Sequence, residues 1–187
     1  MMTEEMDRRD FLRLNWKSSI RFLAEVVGPQ IKKARDFIRP LGAVDEIEFL
    51  SLCTRCNACK MICPTETIAL FGHKKGTVLM NTPYMRLNEA PCSFCEKCIE
   101  VCPTGALRKS EEAYQPLAKV TVRPSNCVAY QQVMCDYCIR ACPIEGALSF
   151  PDRKPVVDQE KCTGCGYCVS ACIHDPKALV IRPSRAT

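Results

Sequence analysis

At 187 residues the chain has room for one or two small domains, and with 7% aromatics and one tryptophan, apolar packing alone would give a thin core. The formal charge of +5 counts every cysteine as neutral, so it argues only weakly for a nucleic-acid partner or an anionic membrane surface. No stretch approaches the roughly 18 consecutive apolar residues that a membrane-spanning helix requires.

Residues 1–50 contain no cysteine and read as a separate helical arm. Leu12, Trp16, Ile20, Leu23 and Val27 recur at offsets of three and four, an apolar stripe along one helix face. Gly28-Pro29 breaks this helix. A second short helix is expected to run to Arg39, with Ile31, Ala34 and Ile38 on one side, and Pro40 stops it. The stripe serves either to pack on the rest of the chain or to dock on a partner subunit or a membrane surface, the latter as peripheral association through residues 1–38. Arg8-Arg9-Asp10-Phe11-Leu12-Arg13 resembles a twin-arginine export motif. However, Lys17, Arg21 and Glu25 interrupt every candidate apolar window and no A-x-A cleavage site follows. A degenerate or uncleaved signal is the expectation. The cytoplasm or the cytoplasmic face of a membrane is the favoured location, with twin-arginine export to the periplasm as the alternative.

Residues 51–187 form the second region, and there the chain becomes a repeat. Cys53, Cys56, Cys59 and Cys63 form a C-x2-C-x2-C-x3-C run; Cys92, Cys95, Cys98 and Cys102 repeat it, and so do Cys162, Cys165, Cys168 and Cys172. Cys127, Cys135, Cys138 and Cys142 form a stretched copy, with seven residues between its first two cysteines. These four runs use all 16 cysteines. Disulfides suit a secreted mini-protein, and zinc ribbons use two separated C-x2-C pairs per ion; neither explains runs of four. This spacing holds a [4Fe–4S] cube in bacterial ferredoxins, where the fourth cysteine serves the neighbouring cluster. Four clusters are therefore expected, with all 16 cysteines as ligands. Each oxidised cube with its thiolates brings roughly −2, which would carry the loaded chain to about −3.

Each run is followed by Ala-Leu, at Ala69-Leu70, Ala106-Leu107, Ala147-Leu148 and Ala178-Leu179. Short extended segments are expected before three of them, at 78–80, 120–122 and 156–157. The predicted unit is strand, cluster turn, a short helix opening at the fourth cysteine, then strand. Pro64, Pro103 and Pro143 fit the first turn of that helix, where no amide hydrogen is needed. The fold class is α+β: two dicluster modules of ferredoxin-like βαβ repeats, preceded by the helical arm.

Four thiolates per site leave no open coordination position, so the reading is an electron carrier and not an enzyme. No G-x-G-x-x-G or Walker A segment is present to bind a nucleotide. His73 reads as part of a solvated basic turn, and His174 as a surface or outer-layer group beside the fourth run, with proton coupling there as the alternative. Tyr137 and Tyr167 are expected to shield clusters from water, with a redox-relay role as the alternative. Glu96, Lys97 and Arg140 either tune potentials or are simply solvated.

From Arg39 onward, about four-fifths of the chain resembles the NapG/MauM-type four-cluster ferredoxins. The matching segments are Arg39-Pro40-Leu41-Gly42-Ala43, Cys53-Thr54-Arg55-Cys56, Thr82-Pro83-Tyr84, the stretched run with Cys135-Asp136-Tyr137-Cys138-Ile139-Arg140, and Cys162-Thr163-Gly164-Cys165-Gly166. The resemblance implies a subunit of a membrane-associated oxidoreductase, passing single electrons between a quinol-oxidising membrane partner and a terminal reductase or cytochrome. A freely diffusing polyferredoxin is the alternative. Sequential pairing of the runs and nested pairing are both open. Similar four-cluster subunits of molybdenum oxidoreductases are nested, and that is the expectation: Cys53, Cys56 and Cys59 with Cys172; Cys162, Cys165 and Cys168 with Cys63; Cys92, Cys95 and Cys98 with Cys142; Cys127, Cys135 and Cys138 with Cys102.

Overall fold

In the computed structural model, residues 36–110 and 116–184 are described. The apolar stripe and the twin-arginine-like motif lie outside these residues.

The second predicted helix does not extend over Asp36–Arg39: Ile38 instead forms an antiparallel bridge with Met85. The first helix met is α1 (Glu46–Leu52). Asp45 caps it, its carboxylate accepting from the amides of Ile47 and Glu48 at 3.1 and 3.3 Å. Glu46 and Glu48 place negative charge in its first turn, where the helix dipole favours it. The helix fully buries Phe49 and ends as the Cys53 amide donates to Phe49 O. Because α1 crosses residue 50, the segment before the first run contributes to the cysteine-rich body.

Three short helices hold the third cysteine of a compact run: α2 (Ala58–Ile62), α3 (Lys97–Glu100) and, later in the chain, α5 (Tyr167–Ser170). The stretched run supplies α4 (Tyr137–Arg140). The expected helix at each fourth cysteine is therefore displaced: it lies one turn earlier and stops at that cysteine. The prolines that follow sit beyond the helix, where the missing amide ends it instead of opening it.

The strands are β1 (Ile68–Leu70), β2 (Pro83–Met85), β3 (Ala118–Val122), β4 (Leu148–Ser149), β5 (Val156–Val157) and β6 (Leu179–Pro183). They pair antiparallel as β1–β2, β3–β6 and β4–β5. Strand and helix do alternate through the repeats, but no parallel βαβ pairing occurs among the described strands. Burial alternates along β3, with Ala118 and Val120 inside and Lys119 and Thr121 outside, as expected for a sheet with one covered face. Residues 78–80, expected as a strand, form a turn in which Val78 is 63% exposed.

Both halves share one plan. The chain before a half's first run pairs with the chain after its second run: β3 with β6 in the later half, and an Ala43–Leu107 bridge in the earlier one. The chain between the two runs folds back as a hairpin, β1–β2 or β4–β5. Phe49, Leu41, Ile99 and Leu107 fill one small core within the earlier half, while Val120, Val169, Leu179 and Ile181 anchor a second that also takes in Met85 and Leu87 from the earlier half.

Candidate metal centres

The turn leading into each compact run has a backbone feature with no simple composition signal. Two residues per turn take positive φ: Arg55 and Asn57, Phe94 and Glu96, Gly164 and Gly166. For a non-glycine residue this costs about 1–2 kcal/mol. The conformation curls the backbone around the first cysteine, so that the Phe94 amide reaches the Cys92 sulfur and the Gly164 amide reaches Cys162. In the stretched run Asp136 is not left-handed (φ −132°), and the positive φ falls instead on Gln132 inside the insertion. Gly164-x-Gly166 was the one visible hint of this geometry, because glycine adopts it without strain.

These turns and the hairpins gather the cysteines into four nests. Cys53, Cys56 and Cys59 line one small pocket with Cys102 as the fourth wall. Cys127, Cys135 and Cys138 share a second with Cys172, and Cys162, Cys165 and Cys168 share a third with Cys142. In the remaining nest, Cys63 lies close enough to Cys92 and Cys98 for its charge to act on both thiols. The nested arrangement is thereby corrected. The first run exchanges its fourth cysteine with the second, and the third with the fourth. The β1–β2 and β4–β5 hairpins fold consecutive runs onto each other, so Cys172 and Cys142 are not available to the first two runs.

Burial pushes the thiols of Cys98 and Cys168 up to about 12, and those of Cys59, Cys92 and Cys138 up to about 11, with neighbouring thiolates adding to the effect. Four such sulfurs cannot ionise together unless a cation joins them. Cys63 and Cys102 are tuned the other way. Burial works to raise them, yet hydroxyl and amide donors hold both below the ordinary thiol value: Thr65, Thr67 and Ile68 for Cys63, and Leu107, Thr104 and Ala106 for Cys102. Thr65 Oγ1 lies 3.6 Å from Cys63 Sγ, and the Ala178 amide donates to Cys172 Sγ at 3.4 Å. Hydrogen bonds to sulfur of this kind set cluster potentials.

The donor set fits a polynuclear cluster. No group of three or more His, Cys, Asp or Glu side chains among the described residues is arranged to hold a lone metal ion. The sulfurs of the first, third and fourth nests instead line small pockets, and no cysteine is used in a disulfide.

The 4Fe-4S dicluster domain family matches residues 52–106, 91–145 and 133–175, each match spanning two neighbouring runs in whole or part. The ferredoxin-type protein NapG of Escherichia coli is 33% identical over 94% of this chain and 85% of its own length. The chain belongs to the NapG/MauM ferredoxin-type proteins. Within that group the methylamine utilization ferredoxin-type protein MauM of Methylobacillus flagellatus is 30% identical over 96% of this chain and 85% of its own length. The ferredoxin-type protein NapF of Escherichia coli is 30% identical over 75% and 83% respectively. A repeated dicluster, electron-transporting 4Fe-4S protein is thus the family setting for the four nests.

Of the other residues singled out by sequence, Tyr137 and His174 both line the nest of Cys127, Cys135, Cys138 and Cys172. Tyr137 is 54% exposed and so covers it only in part. His174 Nδ1 lies 2.9 Å from Pro176 O, a local contact of the kind an outer-layer group makes. Tyr167 is not among the residues around the fourth nest's void. Arg140 pairs with Asp136 and Glu96 with Lys109, both at the surface, and His73 lies in an exposed turn.

One functional residue escaped sequence reasoning. Arg39 belongs to a matched segment, but its role lies in tertiary contacts that the sequence does not display. Its guanidinium is buried against Phe37, Phe49 and Phe71 at 4.7, 4.5 and 5.7 Å. It grips Glu46 with two bonds of 2.6 and 3.1 Å and also donates to Thr82 Oγ1 and Pro83 O. It thereby ties α1, which delivers Cys53, to β2, which walls the first nest.

Proposed function

We propose that the protein is a non-enzymatic electron-transfer subunit that binds four [4Fe–4S] clusters, one in each nest, with all 16 cysteines as ligands. It would relay single electrons between a quinol-oxidising membrane partner and a terminal reductase or cytochrome. The observation that carries this reading is the set of nests themselves: each has four sulfurs and none has an open position for substrate. When bound, the clusters supply one-electron redox chemistry with little rearrangement. The chain's own contribution is to bury the sulfurs, aim amide and hydroxyl donors at them, and join four sites in one body.

We place the protein at the cytoplasmic face of a membrane, held there through residues 1–35, with the exported form as the alternative. No helix among the described residues is long and apolar enough to cross a membrane. The test is anaerobic purification of the full chain. Four irons per nest and a paramagnetic signal after dithionite are expected; colourless, silent material defeats the proposal. Co-sedimentation with membranes that is lost on deleting residues 1–35 supports the subunit. A chain that stays soluble with or without them supports the freely diffusing carrier.

A further inference from the structure

We infer that the four nests stand in the linear order first, second, fourth, third, numbered by the run that supplies three of their cysteines. The second and fourth nests then meet in the middle, and the first and third are the two ends of the relay. The inference rests on the reading that the nests hold clusters, and it adds a path which cysteine spacing does not contain.

Three contacts set the order. Within the first half α2 packs on α3, bringing the first nest against the second. Within the second half α4 packs on α5, bringing the third against the fourth. Between the halves, the junction forms at the second and fourth nests: the Cys92 amide donates to Cys165 O at 2.7 Å. Around that bond the halves are locked together. Asn88 donates to Ile181 O at 3.1 Å and accepts from the Ile181 amide at 2.8 Å. At Gly166, where φ is +92°, a Cβ would stand 2.8 Å from Leu87 O, so the chains meet there with no room for a side chain.

An independent feature agrees with the assignment of ends. Met61 and Met134, 81% and 82% exposed, belong to the first and third runs. Val133 and Tyr137 of the third run, and Ile173 beside Cys172, are also exposed, whereas the fourth run has no large exposed apolar side chain. Cys165 and Cys168 of that run are buried. Exposed apolar surface is expensive to maintain and marks places where a partner meets the protein. Here the most exposed of it, on Met61 and Met134, lies at the ends of the path, and the two middle runs offer only Val101, 36% exposed.

The test uses the full chain with its clusters, and dipolar electron paramagnetic resonance between reduced sites. Four single variants each mark one nest: Cys56→Ser, Cys95→Ser, Cys135→Ser and Cys165→Ser. An oxygen ligand lowers the potential of its site, which stays oxidised and silent at a poise that reduces the others. The longest separation in the distance distribution should disappear in Cys56→Ser and in Cys135→Ser, and persist in Cys95→Ser and Cys165→Ser. Any other pattern overturns the order. A variant that loses its site outright is silenced equally, so the same comparison holds if its iron corresponds to three loaded nests. On the junction itself, Asn88→Ala should broaden the distances between halves and leave those within each half unchanged. Unchanged distances between halves would count against the lock. A wild-type chain with iron for fewer than four nests overturns the underlying reading, which the iron assay detects separately from the distances.

Discussion

Replacing Arg39 with methionine should loosen one end of the protein selectively. The substitution keeps an apolar stem against Phe37, Phe49 and Phe71 but removes the guanidinium that binds Glu46 twice, on a carboxylate whose side chain is only 15% exposed. Breaking a largely buried pair in this way costs about 3–5 kcal/mol. Thr82 Oγ1 still donates to Leu79 O, so its hydroxyl is not stranded; Pro83 O does lose a donor. At about 2–4 °C per kcal/mol for a chain of this size, the loss corresponds to about 6–20 °C in apparent melting temperature. Because cluster loss makes unfolding irreversible, wild type and variants are compared at one scan rate. The decisive comparison is the double variant Arg39→Met/Glu46→Met, which removes both charges and should recover much of the loss. Iron analysis should show the single variant releasing the contents of the first nest before the rest. A single variant within about 2 °C of wild type, or a double variant no better than the single, would refute the keystone role of Arg39.

Three further outcomes follow from the geometry. Gly164→Ala places a Cβ 2.4 Å from Ala118 O at φ +71°, so it should destabilise the fourth nest severely, whereas Gly105→Ala, at φ +70° in open space, should cost only about 1–2 kcal/mol; chemical unfolding of the two side by side checks this. Thr65→Val removes a hydroxyl beside Cys63 and should lower the reduction potential of the nest formed with Cys92, Cys95 and Cys98; a potentiometric titration in which the first nest shifts instead would contradict the exchange of fourth cysteines. In iron-free protein the thiols of Cys59, Cys92, Cys98, Cys138 and Cys168 are raised to about 11–12 from an ordinary 9.0, so the fold favours their neutral form. Their contribution is complete below pH 9 and is lost as pH rises towards 11–12. Cys63 and Cys102 are shifted the opposite way and offset only part of this. Circular dichroism of the iron-free chain should therefore show structure fading above pH 9, and structure that strengthens there would reverse the sign.

The cysteine chemistry was legible in the sequence because the ligands of a metal centre are written into the spacing of a single turn. Pairing was not legible, since it depends on which strands fold back on one another. The β1–β2 and β4–β5 hairpins decide it, and β4–β5 is two residues long in each strand. Val78, Leu79 and Met80 look like a strand by composition, yet the ladder is made by Pro83–Met85, where Met85 meets both Ile68 and Ile38. Three of the short helices shifted by a turn because residues of left-handed φ start them, and Glu96 does not advertise that conformation in the way Asn57 and Gly166 do. Arg39 stayed hidden for another reason. A guanidinium among three aromatic rings and a glutamate is a tertiary arrangement, with Phe49, Phe71 and Thr82 distant in sequence.

The reciprocal exchange of fourth cysteines also bears on how the protein must be made. No run emerging from the ribosome can complete its own cage, since Cys53, Cys56 and Cys59 wait for Cys102, and Cys127, Cys135 and Cys138 wait for Cys172. Iron delivery therefore has two earliest moments, one for each half of the chain. The later one waits for Cys172, so a message interrupted before that codon yields a product able to mature at one half alone.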